Sequence, residues 1–213
     1  HLLVGHSHSY DAPYLKASEL IRSGRFGRVR MITASNHTDF LYRPRRPEEL
    51  DTAQGGGVVF SQGAHQVDIA RLLGGGLVST VRATTGRFDP ARPTEGAYQA
   101  LLVFAEGASA TLTYSGYGRY DSDEQLGWIG EMGQRGDPES YGMARRGLVG
   151  VSTPEEEAAL KNTRTYGVAK NSVAPLSAAL GHNHFGPITV CCEQADLRPL
   201  AGGVMVYADD RRW

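Results

Sequence analysis

Residues 55–74 form a segment closed by glycines at both ends, Gly55-Gly56-Gly57 before it and Gly74-Gly75-Gly76 after it. Between them Val58, Ser61, His65, Asp68 and Leu72 recur at steps of three and four. That spacing predicts one apolar-faced helix over about 57–73, with these residues on neighbouring faces. The helix carries a histidine and an acid three residues apart and starts from glycines that read as flexible. Such an arrangement can act on a substrate, which makes His65 the first candidate.

The remaining pattern sets the fold class. Leu2–Gly5 reads as a short buried strand. Asp11 offers an N-cap and Pro13 an early helical position, so a helix runs to Ser23 with Leu15, Leu20 and Ile21 on one side and Gly24 as its C-cap. Val29–Thr38 alternates as a strand, residues 39–56 are a polar loop, and Val78–Phe88 is a strand followed by a turn over 89–96. Glu106-Gly107 between Tyr98–Phe104 and Ser109–Tyr117 signals a hairpin. Residues 118–150 lack periodicity. Thr153-Pro154-Glu155-Glu156 fits a capping box, giving a helix to about Asn162, and a glycine-spotted loop follows. Ile188–Glu193 and Gly203–Ala208 read as two strands joined by Asp196-Leu197-Arg198-Pro199. Helices early and hairpin-linked strands later predict an α+β domain: a large, open, mainly antiparallel sheet with helices on one face.

The charge balance excludes some classes. Lys and Arg total 22 against 23 Asp and Glu, so neither nucleic acid nor an anionic membrane is an expected partner. No apolar run nears the roughly 18 residues of a membrane span. The two cysteines, Cys191 and Cys192, are adjacent on a strand and point to opposite faces, so they read as buried free thiols in a reducing cytoplasm. A chain opening at His1 and running straight into a strand reads as part of a longer protein.

Chemistry is concentrated in three places. The first is the His65 helix. The second is the pair of His-x-His motifs, His6-Ser7-His8 and His182-Asn183-His184. A strand ending in His-x-His aims both rings the same way and can begin a metallohydrolase site, although no acid-bearing partner strand is visible. The third is Tyr42, Arg43, Arg45 and Arg46, whose guanidiniums could clamp a carboxylate or phosphate, or could simply be solvated. No dinucleotide fingerprint, P-loop or nucleophile elbow is present.

Taken together, Ser23-Gly24-Arg25-Phe26-Gly27, the Gly55–Gly57 run, Gly63-x-His65-x-x-Asp68 and Leu72-Leu73-Gly74 resemble the second domain of the glucose–fructose oxidoreductase and inositol dehydrogenase superfamily. The tail Phe185-Gly186-Pro187-Ile188 through Asp196-Leu197-Arg198-Pro199 and Gly203–Tyr207 is similar to the branch containing phthalate 4,5-cis-dihydrodiol dehydrogenases. The resemblance implies a preceding Rossmann domain that binds NAD or NADP and carries a Glu-Lys-Pro motif. Residues 1–9 would be its last strand and exit, and residues 10–213 a substrate-binding and oligomerisation domain stopping short of the family's C-terminus.

It also implies that His65 is the active-site histidine, with Ser61 where the family often has aspartate and Asp68 as the remaining nearby acid. The missing lysine would be the main acid/base group. The expected substrate is a small cyclic diol such as a phthalate dihydrodiol, with Tyr42, Arg43, Arg45 and Arg46 facing its carboxylates, and no metal is implied. Homodimers or homotetramers would form through the sheet, so an oligomerisation module without catalysis of its own is the other reading, alongside the metal-dependent hydrolase.

Overall fold

The apolar–polar alternation of the predicted strands is that of a sheet with one covered and one open face. The computed structural model of the chain describes residues 7–163 and 178–213. The strand expected at Leu2–Gly5 and most of the glycine-spotted loop after Asn162 lie outside the described residues. The described strands are β1 (Val29–His37), β2 (Val78–Gly86), β3 (Ala97–Phe104), β4 (Ser109–Ser115), β5 (Ile188–Cys192), β6 (Ala195–Leu200) and β7 (Gly203–Ala208). They form one sheet in the order β2-β3-β4-β1-β5-β6-β7. Only β1 and β4 run parallel; the other neighbours are antiparallel. The α+β fold with a large, mainly antiparallel open sheet is therefore the observed one.

Two helices, α1 (Ala12–Arg22) and α2 (Ala64–Gly74), touch each other and cover the same face, α2 over β1 and β4 and α1 over β6 and β7. Ile32, Ala34, Ala110, Leu112 and Tyr114 meet Ile69, Ala70 and Leu73 there, and all are buried. Each large apolar side chain so covered contributes about 1.5–3 kcal/mol. Two further helices, α3 (Met143–Arg146) and α4 (Pro154–Asn162), lie in the long excursion between β4 and β5. The capping box of α4 forms as the sequence predicts: the Glu156 N–H donates to Thr153 Oγ1 at 3.2 Å, and the Glu156 carboxylate accepts from the Thr153 N–H at 3.3 Å.

Three expectations need correction. The face α1 buries is Tyr14, Ala17 and Ser18, whereas Leu15 is 43% exposed; small side chains let the helix lie close on β6 and β7, and Tyr14 reaches inward. Asp196-Leu197-Arg198-Pro199 is not a connector but part of β6, with Leu197 buried and Asp196 exposed. Pro199 is tolerated because β6 meets β5 only at Asp196 and Leu197, so no ladder toward β5 needs its missing N–H. Cys191 and Cys192 are free but only half-buried.

Candidate active site

The start of the histidine helix is not plain α-helix. Val59–Gly63 forms a π turn, and α2 begins only at Ala64. The three- and four-residue spacing read across Val58–His65 therefore does not carry through, because a π turn closes i→i+5 bonds. Ser61 is exposed, and its hydroxyl donates to the Gly57 carbonyl at 2.5 Å. The leading glycines are tightly packed. A β-carbon at Gly57, whose φ is +90°, would collide with the Glu95 carboxylate, and one at Gly56 would lie 2.6 Å from the Glu48 carbonyl.

Glu95 is the residue this packing serves. It is buried, and its side chain accepts from the Val59 N–H (3.4 Å) and the hydroxyls of Thr52 (2.6 Å) and Thr94 (3.2 Å). Its own carbonyl accepts from the Val58 N–H at 3.1 Å. Glu95 thus satisfies two N–H groups that have no partner within the helix, Val59 through its carboxylate and Val58 through its carbonyl, and its charge complements the helix dipole. Sequence reading left Glu95 inside a turn, because the contact spans 36 residues.

Rotation of α2 is fixed by Gln66, which is fully buried. Its carbonyl accepts from the Tyr98 hydroxyl at 2.8 Å and its amide donates to the Thr113 carbonyl at 3.3 Å. With residue 66 turned into the sheet, His65 faces sideways toward the turn before α1. Its ring meets His8 edge-on, with centroids 4.9 Å apart and planes at 81°, and lies 5.4 Å from the ring of Phe185. His8 in turn is 5.0 Å from Phe185, and its Nδ1 pairs with Asp11 Oδ2 at 2.8 Å. Phe185 is buried, stacks toward Tyr114 at 6.2 Å, and donates its N–H to the Tyr14 hydroxyl at 2.6 Å.

Asp11 occupies the N-cap position of α1 as expected, yet its side chain makes no capping bond. The spacing His-x-x-Asp occurs twice, at His8/Asp11 and His65/Asp68. The structure closes the first pair; Asp68 is half-buried and has no hydrogen-bond or ion-pair partner among the described residues.

The second His-x-His motif divides. His182 is exposed, whereas His184 is buried beside the cluster. Its Nδ1 accepts from the Gly186 N–H (3.2 Å), which leaves Nε2 to donate to the Ile129 carbonyl (2.6 Å). Burial holds this ring below the usual imidazole range, so it stays neutral. His6 lies outside the described residues. Among the described residues no group of three or more His, Cys, Asp or Glu side chains is placed to hold a metal ion.

Of the arginine loop, Arg43 is coupled to this neighbourhood through Glu131, although it too is paired within the loop, to Asp39. Arg45 is buried, donates to the Phe40 carbonyl (2.7 Å) and to Glu49 (3.2 Å), and lies 3.6 Å over the Phe40 ring. Arg46 donates to Asn162 Oδ1 on α4 at 2.9 Å. The Tyr42 hydroxyl donates to Asp89 at 2.9 Å, and Arg145 stacks on its ring at 3.8 Å. Arg43 pairs with Asp39 at 3.0 Å. Its side chain remains 45% exposed, and against partial desolvation the carboxylates of Asp39 and Glu131 raise its pKa.

Glu131 is half-buried; its carbonyl accepts from the His184 N–H at 3.1 Å, while its carboxylate has no hydrogen-bond partner among the described residues. Its charge also acts on Tyr14, Tyr114 and His184, so it links Arg43 to the histidine side. Burial, then the charges of Asp121 and Glu131, pushes the nearby Asp123 up to about 7. A cleft of about 790 Å³ lies away from His65, bordered by Arg45, Arg92 and Glu157. Among the described residues no helix is long and apolar enough to cross a membrane.

Residues 14–134 match the sequence family described as the GFO/IDH/MocA C-terminal domain. A protein of Comamonas testosteroni named 1-carboxy-3-chloro-3,4-dihydroxycyclohexa-1,5-diene dehydrogenase is 49% identical over 209 residues, which is 98% of this chain and 53% of that protein. Inositol 2-dehydrogenase 2 of Saccharopolyspora erythraea is 31% identical over 135 residues, covering 61% of this chain and 37% of its own. A crystal structure from Bordetella bronchiseptica RB50, assigned as a dehydrogenase, superposes with a TM-score of 0.90 at 41% identity, over 100% of this chain and 54% of that one. The chain thus spans about half the length of the relative it matches end to end.

Proposed function

The chain belongs to the GFO/IDH/MocA C-terminal domain family, and from that premise we propose that it is the substrate-binding part of an NAD(P)-dependent dehydrogenase acting on a carboxylated cyclic diol. The observation that carries this reading is the wall made by His65, the His8–Asp11 pair and Phe185, with Arg43 beyond Tyr114. The relative named above acts, by its name, on a ring bearing one carboxyl group and two neighbouring hydroxyls. One coupled arginine suits one ring carboxylate, and the buried Phe185 backs the His8 and His65 rings from within the core.

Among the described residues there is no glycine-rich strand-to-helix turn to cradle a pyrophosphate, so the dinucleotide would be held mainly by a preceding Rossmann domain. NAD or NADP, when bound, supplies the hydride acceptor. Oxidation of a carbinol also releases the hydroxyl proton, and a base must take it. His65 is the group on this chain proposed to receive or relay that proton, while Arg43 pairs with the carboxylate and holds the ring in register.

The test is His65→Ala in the full-length protein, assayed by nicotinamide reduction with a carboxylated cyclohexadiene diol. Turnover is expected to fall by about two orders of magnitude or more, the size of a lost proton-transfer group. A rate near that of the parent protein would remove His65 from the chemistry.

A second role fits the open face of the sheet. Met31 and Leu101 are exposed there at 47% and 39%, among Thr33 and Thr111, and β2 is exposed along nearly its whole length. We propose that a second copy of the chain covers this face, giving a homodimer or homotetramer; light scattering that finds a monomer at micromolar concentration would overturn this.

A further inference from the structure

Resting on the dehydrogenase reading above, we infer that Asp11 and His8 act through His65 as positioning residues, taking the place of the acid that Ser61 does not supply. Asp11 Oδ2 lies 2.8 Å from His8 Nδ1, with the two side chains 12% and 13% exposed. A carboxylate only accepts, so the proton of the neutral His8 ring sits on Nδ1. The His8 ring then meets His65 edge-on at 4.9 Å, and Phe185 closes against both rings at 5.0 and 5.4 Å. Three rings packed on one another leave little freedom to any of them, so the bond from Asp11 to His8 is passed on as an orientation of His65.

Asp11 is not needed to start α1, since its side chain makes no capping bond although it sits at the N-cap. Ser61 cannot serve instead, because its hydroxyl is given to the Gly57 carbonyl. Among the described residues, the titratable and charged groups near His65 are Asp68 on its own helix, His8 and Asp11 from the turn before α1, Tyr14 from α1, and His184 and Glu131 from the segments packed beyond Phe185. Of these, Asp11 is the acid bonded to a ring that touches His65. Its carboxylate lies one ring away from the positive charge that His65 acquires when it accepts the proton, and so complements it.

The experiment is Asp11→Asn and His8→Gln in the full-length dehydrogenase, each also made in the His65→Ala background. Asparagine remains a good N-cap residue, so α1 is preserved. Each single variant is expected to lower kcat roughly tenfold with KM within about twofold, and Asp11→Asn, which removes the negative charge, to move the acidic limb of the kcat/KM profile to lower pH. Neither is expected to cost further activity once His65 is alanine, because residues acting as one unit are not additive. An equal loss in both backgrounds, or a single variant with unchanged kcat and pH profile, would overturn the inference and leave the dehydrogenase reading standing. A His65→Ala variant with parental activity would overturn both.

Discussion

The arginine loop and the histidine cluster are assembled in opposite ways. In the loop, Tyr42, Arg43, Arg45 and Arg46 are adjacent in sequence, and three of the four spend their polar atoms on the scaffold: Tyr42 on Asp89, Arg45 on Phe40 and Glu49, and Arg46 on Asn162. In the cluster, His8, His65 and Phe185 come from three distant segments and meet through ring contacts. Dense charge in this stretch of sequence thus marks a place where a loop is anchored, whereas the group proposed for the chemistry is gathered from afar. Arg43 also pairs within the loop, to Asp39, but it differs in that Glu131 supports its charge from outside.

This contrast can be broken most severely at Glu157. Its carboxylate takes two bonds from Arg92 Nη1 (2.7 and 2.9 Å) and one from the Arg45 N–H (2.8 Å), in a pair 7% and 13% exposed. Glu157→Ala leaves a buried guanidinium unpaired and should lower unfolding stability by roughly 3–5 kcal/mol. A denaturant midpoint unmoved by this change would mean the loop is not held by α4.

Arg43 should separate from its neighbours in kinetics. Arg43→Gln is expected to raise KM for a carboxylated diol by about ten- to hundredfold, the worth of one charged hydrogen bond, with kcat nearly spared. The same change tested on an uncharged polyol should have little effect. If both substrates suffer alike, Arg43 belongs to the scaffold with the others.

Asp123, where the two regions meet, gives a smaller signal that depends on pH. Its folded pKa of about 7 lies above the usual carboxylate value, by burial first and then by Asp121 and Glu131. The folded state therefore binds this proton more tightly than the unfolded one. The stability it contributes is full below about pH 4 and is lost as pH rises through about 7. Asp123→Asn should raise the melting temperature at about pH 8 and change it little at about pH 4; a gain of the same size at both values would rule out this titration.

The smallest expected effect is at Arg46, a half-buried residue whose side chain bonds, among the described residues, only the exposed Asn162 amide. Arg46→Ala should change stability by about 0.5 kcal/mol or less, and KM by less than twofold. A large KM effect here would place Arg46 beside Arg43 in a carboxylate clamp.

The local grammar of the chain was enough for much of the fold. Alternation in Val29–His37 and around Glu106-Gly107, the capping box at Thr153, and the glycine that ends α2 each act within a few residues, so the elements and the α+β class are written in the sequence itself. The family motif around His65 was legible for the same reason. What only the tertiary structure decided is which charges meet: that Glu95 starts the histidine helix from 36 residues away, that the first His-x-x-Asp pair closes and the second does not, and that Phe185 joins the rings. β6 escaped sequence reading because Pro199 is acceptable only where one side of a strand lacks a ladder, and that is settled by the neighbour and not by the residue. Propensity and periodicity are short-range properties; desolvation and ion pairing depend on partners that the folded chain alone brings within a few ångströms.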